Sequence, residues 1–204
     1  EQGRLATILH SEGATGGAVP NVLRTLARMK TGLPLAAAGL VGDDLDGEFI
    51  RQCLLEDDID CRWLQTAALP TSMTQVMTNH RNGQRTFFHA HGCNAAFDPQ
   101  ILYGLHSQHR IVHLAYLLLL QQLETADPDY GVTAARLFYQ LQQKGYLTAL
   151  DLVSVDDPAR AHQRHKGPPA LGRIGQMVQD ARGFHPIAVA ARSALALLVG
   201  LVLF

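Results

Sequence analysis

Apolar residues at Val22, Leu26 and Met29 fall at i, i+4 and i+7, with Arg24 and Arg28 turned the other way. That spacing predicts a helix over 19–29 with one buried face. Residues 35–41 follow as an unbroken run of small apolar side chains, the signature of a buried strand. After the next glycine turn, Phe49, Ile50, Cys53 and Leu54 form the stripe of a second helix. It ends at Glu56-Asp57-Asp58, expected as a solvated acidic patch. From residue 71 to 91 the period drops to two. Met73, Gln75, Met77 and Asn79 alternate with Thr74, Val76 and Thr78, and 86–91 returns after Arg81-Asn82-Gly83. Asn-Gly between alternating runs predicts a hairpin.

Further along, 111–120 reads as a buried strand too short to cross a membrane. Asp127-Pro128-Asp129 reads as a helix entry. Ala134, Leu137, Phe138 and Leu141 give that helix its core stripe, and Gly145 ends it. A strand over 146–153 comes next, with Asp151 near its C-terminal end, the edge where ligands of open α/β sheets collect. Asp151 is therefore either a carboxylate on the ligand side of the sheet or a helix cap. At the other end of the chain, 5–10 is a short β-prone run.

The stretch 13–47 orders these pieces: glycine turn, helix, strand, glycine turn, the grammar of an α/β domain. Gly16 and Gly17 leave no Cβ to obstruct a ligand, and Pro20 sits where a missing N–H costs nothing. Unpaired N–H groups at the helix start face whatever docks there. Asn21 adds one donor and one acceptor, suited to a polyol hydroxyl. The competing reading is a tight turn that only caps the helix. Similarly, His89, His91 and Cys93 share a strand face, which permits zinc but also suits a polar lid surface.

Gly16-Gly-x-x-x-Asn21, then helix and strand, then Gly39-x-Val41-Gly42-x-Asp44-x-x-Gly47 resembles the first signature of the PfkB (ribokinase-like) carbohydrate kinases. Pro70-Thr-Ser-Met-Thr-Gln-Val-Met and Asn82-Gly-Gln-Arg-Thr-Phe-Phe-His-Ala-His-Gly92-Cys-Asn94-Ala resemble that family's hairpin lid. Val112-His-Leu-Ala-Tyr and Thr148-Ala-Leu-Asp151 are similar to its next two core strands. The resemblance implies an α/β, ribokinase-like layered sheet with a small β-hairpin lid, here incomplete. It implies a partial domain over 1–160, with lid strands about 3–15 and 70–96. ATP and Mg²⁺ are the cofactors of the complete family member. Gly16, Gly17, Asn21 and Asn94 would bind the sugar, with Asp151 near phosphate and Mg²⁺ and no catalytic residue carried over. A homodimer through the lid also fits.

Composition changes the picture at the C-terminal side. Residues 1–160 carry 12 Lys/Arg and 17 Asp/Glu, while 161–204 carry 5 and 1, so the net charge turns from −5 to +4. Residues 162–186 are rich in Arg, His, Gly and Pro, and 187–204 are nearly all apolar apart from Arg192 and Ser193. None of 161–204 resembles the family. It reads either as a membrane anchor near the lower length limit or as the product of a changed reading frame, the latter fitting its composition better. A whole-chain net charge of −1 gives no footprint for nucleic acid. Three scattered cysteines and no leader pattern make a cytoplasmic setting the expectation.

Two motifs of the family are missing from these residues: Asn-x-x-Glu, and the Gly-Ala-Gly-Asp that brings the anion hole and general base. Gly172-Arg-Ile-Gly175 is no substitute, because no Asp follows in place. The strand that precedes the lid in the family, with its sugar-binding Asp, is missing too. The resemblance thus implies an ATP-dependent sugar kinase by descent, here a truncated and catalytically incompetent form. The alternative is a non-catalytic sugar-binding or lid-dimerisation module.

Overall fold

The computed structural model describes residues 7–105, 109–151, 195–197 and 200–203. Strand β1 (Ala14–Gly16) enters helix α1 (Ala18–Arg28), followed by β2 (Ala36–Gly42), α2 (Leu45–Glu56) and β3 (Asp60–Ala67). The hairpin is β4 (Met73–Thr78) and β5 (Arg85–Ala90). A 3₁₀ turn at Gly92–Ala96 and the short helix α3 (Gln100–Tyr103) lead to β6 (Ile111–Leu114). The two-residue strands β7 (Ala126–Asp127) and β8 (Gly131–Val132) precede α4 (Thr133–Gln143) and β9 (Leu147–Leu150). Strands β10 (Leu195–Leu197) and β11 (Gly200–Leu203) complete the order.

The core sheet runs β3-β2-β11-β6-β9 and the lid sheet β1-β10-β4-β5. Both outer pairs of the core, β2 with β3 and β6 with β9, are parallel, whereas β11 is antiparallel to each neighbour. Every residue of β2 is buried, as a strand covered on both faces requires. Ala36, Ala38 and Leu40 point into a cluster with Leu137, Phe138 and Leu141 of α4. Ala37 and Val41 point the other way, to Val19 and Leu23 of α1 and Ile50 and Leu54 of α2. Small side chains along β2 let helices approach closely on both sides. The result is an α/β, ribokinase-like layered sheet with a small hairpin lid, and it is incomplete.

Several expectations shift. The buried residues of α1 are Val19, Pro20 and Leu23; of the expected seam, Val22 and Leu26 pack half-buried against the same cluster, while Met29 is 67% exposed. The register turns because α1 docks on the sheet through its first turn. Asp57 is not part of a solvated patch: its side chain is 14% exposed and holds Arg24. Strand β3 had no counterpart in the pattern, since its burial alternates only weakly. The strand expected over 111–120 stops at Leu114, because Tyr116 adopts a left-handed φ of 55°. Asp127-Pro128-Asp129 forms the turn between β7 and β8, where Asp127 Oδ1 accepts the Asp129 and Tyr130 N–H groups, and α4 begins only at Thr133. Residues 7–10 carry no strand, and the lid strand on that side is β1. Of the apolar run 187–204, residues 195–197 and 200–203 are strands; the rest, the boundary near 160 and the segment 162–186 lie outside the described residues. Among the described residues no helix is long and apolar enough to cross a membrane.

Candidate functional site

The glycine turn forms where β1 meets α1. Gly17 is the N-cap at φ 87°, in the left-handed region that favours glycine, and no side chain caps the helix start. The first N–H groups of α1 are thus left to a ligand or to water. Gly16 and Gly17 are buried and Asn21 half-buried one turn on. Gly16 lies in register with Leu197 of β10.

Beside this turn an open depression of about 430 Å³ is lined by Thr15, Asn21, Arg24, Arg28, Phe49 and Cys53, among others. Arg24 Nε donates to Asp57 Oδ2 at 2.6 Å, and its Nη1 donates to Thr15 Oγ1 at 3.0 Å. One guanidinium so ties the end of α2 to β1. Arg28 Nε reaches the second oxygen of Asp57 at 3.4 Å. The Arg24 hydrogen bond outweighs burial and holds the Asp57 carboxyl below its usual range, with the charges of Arg24 and Arg28 adding to it.

A second polar centre sits where the chain leaves β3 for the hairpin. Gly42 N–H donates to Thr71 Oγ1 at 2.8 Å, and the Thr71 hydroxyl donates to Asp44 Oδ1 at 2.5 Å. Thr71 N–H donates to Asp44 Oδ2 at 2.7 Å, and Gly47 N–H to Oδ1 at 2.8 Å. Burial pushes the Asp44 carboxyl up, but the bonds from Thr71 and Gly47 outweigh it and hold it below its ordinary value. Gly42, Asp44, Gly47 and Thr71 all stand within the sequence motifs, where spacing alone assigns them no joint role. The signal was there in Asp44-x-x-Gly47, the spacing of an N-cap.

The remaining candidates occupy other places. Asn94 is fully buried in the 3₁₀ turn after the hairpin, its N–H donating to Ser72 Oγ at 3.1 Å. Asp151 follows β9 directly, and its N–H donates to the Leu114 carbonyl at 2.9 Å. There it faces the half-buried His113, whose imidazole burial pushes down and the Asp151 charge lifts. His89 and His91 meet edge to face, with ring centroids 4.8 Å apart, while the Cys93 thiol turns into the core toward the Leu40 carbonyl at 3.4 Å. The three do not share one face, because the chain enters its 3₁₀ turn at Gly92. Among the described residues no three His, Cys, Asp or Glu side chains gather closely enough to hold a metal.

A family model described as pfkB family carbohydrate kinase matches residues 5–165. Among solved structures, Sa239 matches with a TM-score of 0.51 and 18% identity, over 76% of this chain and 50% of that one. The apo fructokinase from Vibrio cholerae O395 matches at TM-score 0.48 and 18% identity, over 82% of this chain and 52% of that one. The fructokinase from Xylella fastidiosa matches at 0.48 and 20%, over 71% and 45%. At these identities the likeness is one of fold. The chain spans about half the length of the solved structures it matches. Among curated proteins, none matches this sequence.

Proposed function

Because this chain belongs to the pfkB family of carbohydrate kinases, we propose that it carries the sugar-binding side of an ATP-dependent sugar kinase. The observation behind this reading is the uncapped start of α1 at Gly17, next to the lid sheet. Backbone N–H groups there and the amide of Asn21 hold sugar hydroxyls, and the hairpin β4–β5 closes over them to exclude water. Asn94 serves this site from the base of the lid, by holding the return of the hairpin rather than by touching sugar.

ATP and Mg²⁺ belong to the complete activity. Asp151, directly after β9, is the carboxylate that would face such a metal, which is commonly held by one or two carboxylates together with substrate phosphates. The sequence offers no Gly-Ala-Gly-Asp to supply an anion hole and a general base. Phosphoryl transfer is positioning plus charge stabilisation, so these 204 residues alone bind sugar without turning over ATP. Binding on the order of 1 mM, about −4 kcal/mol, is the scale for a half-built site. Titration calorimetry against a panel of pentoses and hexoses, beside an ATP-turnover assay, tests this. Sugar-dependent heat that Asn21→Ala abolishes, with no turnover, supports the reading; turnover refutes the catalytic part, and no heat with any sugar refutes the binding part.

A second role, self-association through the lid, draws on β5. It is an edge strand with Phe87 58% and Phe88 57% exposed. Such an edge pairs readily with another. Sedimentation of the chain beside its Phe87→Ser variant checks it: a dimer lost in the variant is the expected result. A cytoplasmic setting accords with free cysteines at Cys53, Cys61 and Cys93.

A further inference from the structure

The outward and return connections of the hairpin β4–β5 to the core pass through one spot, and that spot is built without slack. On the outward crossing, a Cβ on Gly42 would stand 2.5 Å from Thr71 N and 2.6 Å from the Leu69 carbonyl. On the return, a Cβ on Gly92 would meet the Pro70 carbonyl and stand 2.9 Å from Ser72 N. Residues 70–72 are thus pressed between two glycine backbones. Hydrogen bonds fasten both crossings. Cys93 N–H donates to the Pro70 carbonyl at 2.8 Å, and the Ser72 hydroxyl donates to the His91 carbonyl. Thr71 and Ser72 are 5% and 0% exposed, whereas β5 is exposed over most of its length. The hairpin projects from a buried base.

At the centre of the base stands one hydroxyl. Thr71 Oγ1 accepts from Gly42, the last residue of β2, and donates to Asp44, the N-cap of α2. Meanwhile Asp44 Oδ2 takes the Thr71 N–H. We propose that Thr71, through Asp44, is a positioning residue that fixes the angle at which the lid stands over the glycine turn. The side chain touches no substrate. It couples the segment just before the lid to a strand end and a helix start, so that the hairpin moves as one rigid arm about a fixed root. Calling 73–90 a lid rests on the sugar-kinase reading; the root itself does not.

Hydrogen exchange on the full chain, read by mass spectrometry without any sugar, separates the two. In Thr71→Val the hydroxyl is lost at nearly constant volume, and exchange over 73–90 is expected to rise about tenfold while residues 36–41 of β2 and the body of α2 keep their rates; Gly42, which loses its acceptor, stands outside the comparison. Thr71→Ser restores the hydroxyl and brings the lid back toward its original rate. Asp44→Asn loosens the lid together with residues 45–48, since it also weakens the cap of α2. Unchanged lid exchange in Thr71→Val overturns the assignment. So does an equal rise across β2 and lid, which is the mark of ordinary destabilisation. Should Thr71→Val not fold, the unmodified chain decides: residues 69–72 are expected to exchange as slowly as β2 and 79–84 quickly. A root as fast as the hairpin tip also overturns the proposal. Loss of sugar binding with an intact exchange pattern would remove the kinase reading and leave the root standing.

Discussion

Strands β2 and β5 are of similar length and have opposite surroundings. All of β2 is buried between α1 and α2 on one face and α4 on the other. Among the described residues β5 pairs only with β4, and it leaves Phe87 and Phe88 more than half exposed. One strand is fixed from every side by packing; the other is fixed along one edge and at its root. Stability is therefore concentrated around β2, and freedom to move around β5.

Exchanging aromatic side chains for alanine gives the largest separation. Phe97 lies in the core cluster under β2 at 0% exposure, and Phe97→Ala is expected to cost about 3–5 kcal/mol in denaturant unfolding. Equal losses from Phe97→Ala and Phe88→Ala would break the comparison. Next comes Gly47→Ala. In a helix this change ordinarily stabilises, by roughly 0.5–1 kcal/mol. Here the new Cβ would meet the Gly42 carbonyl and stand 3.0 Å from Thr71 Oγ1, so the sign reverses to a loss of roughly 1–3 kcal/mol by the same measurement.

Acid sharpens the contrast further. The Asp57 carboxyl is held low mainly by its hydrogen bond from Arg24, against burial. Its contribution is thus complete above the ordinary carboxylate range, near pH 4, and disappears as pH falls through the depressed value. Melting temperatures of the chain and of Asp57→Asn are expected to converge as the solution is acidified below about pH 4. The gap between them at neutral pH is the measured quantity, and a gap independent of pH would contradict the pairing. The smallest effect is on the lid. Phe88→Ser is expected to stay within about 0.5 kcal/mol of the parent in the monomer, because the ring gives up little buried surface.

Where packing follows a simple period, sequence reading found the elements. The stripe Ala134, Leu137, Phe138 and Leu141 is buried as read, and β4 and β5 meet around the Asn82-Gly83 turn, where Gly83 takes φ 70°. It failed where tertiary contacts decide. The α1 seam turned because its first turn docks on the sheet, and Asp57 left solvent because Arg24 reaches it from another helix. Strand β3 hides behind polar side chains such as Arg62 and Gln65 on an edge of the sheet. At the candidate site, the glycine turn and Asn21 were legible as a local motif. The root of the lid was not, because Asp44 and Thr71 meet only once β2 and β3 have paired.

Strand β11 has a consequence in time. It stands in the middle of the core sheet, with Gly200 opposite Gly39 and Leu201 opposite Leu114, yet it is synthesised long after both neighbours. Until it arrives, β2 and β6 each present a bare ladder edge to the cell. Contacts of such sequence separation form late and slowly, and the waiting intermediate is open to pairing with other chains. Folding of this molecule is thus a race between its own last strand and a stranger's, and the yield of soluble protein falls as concentration rises.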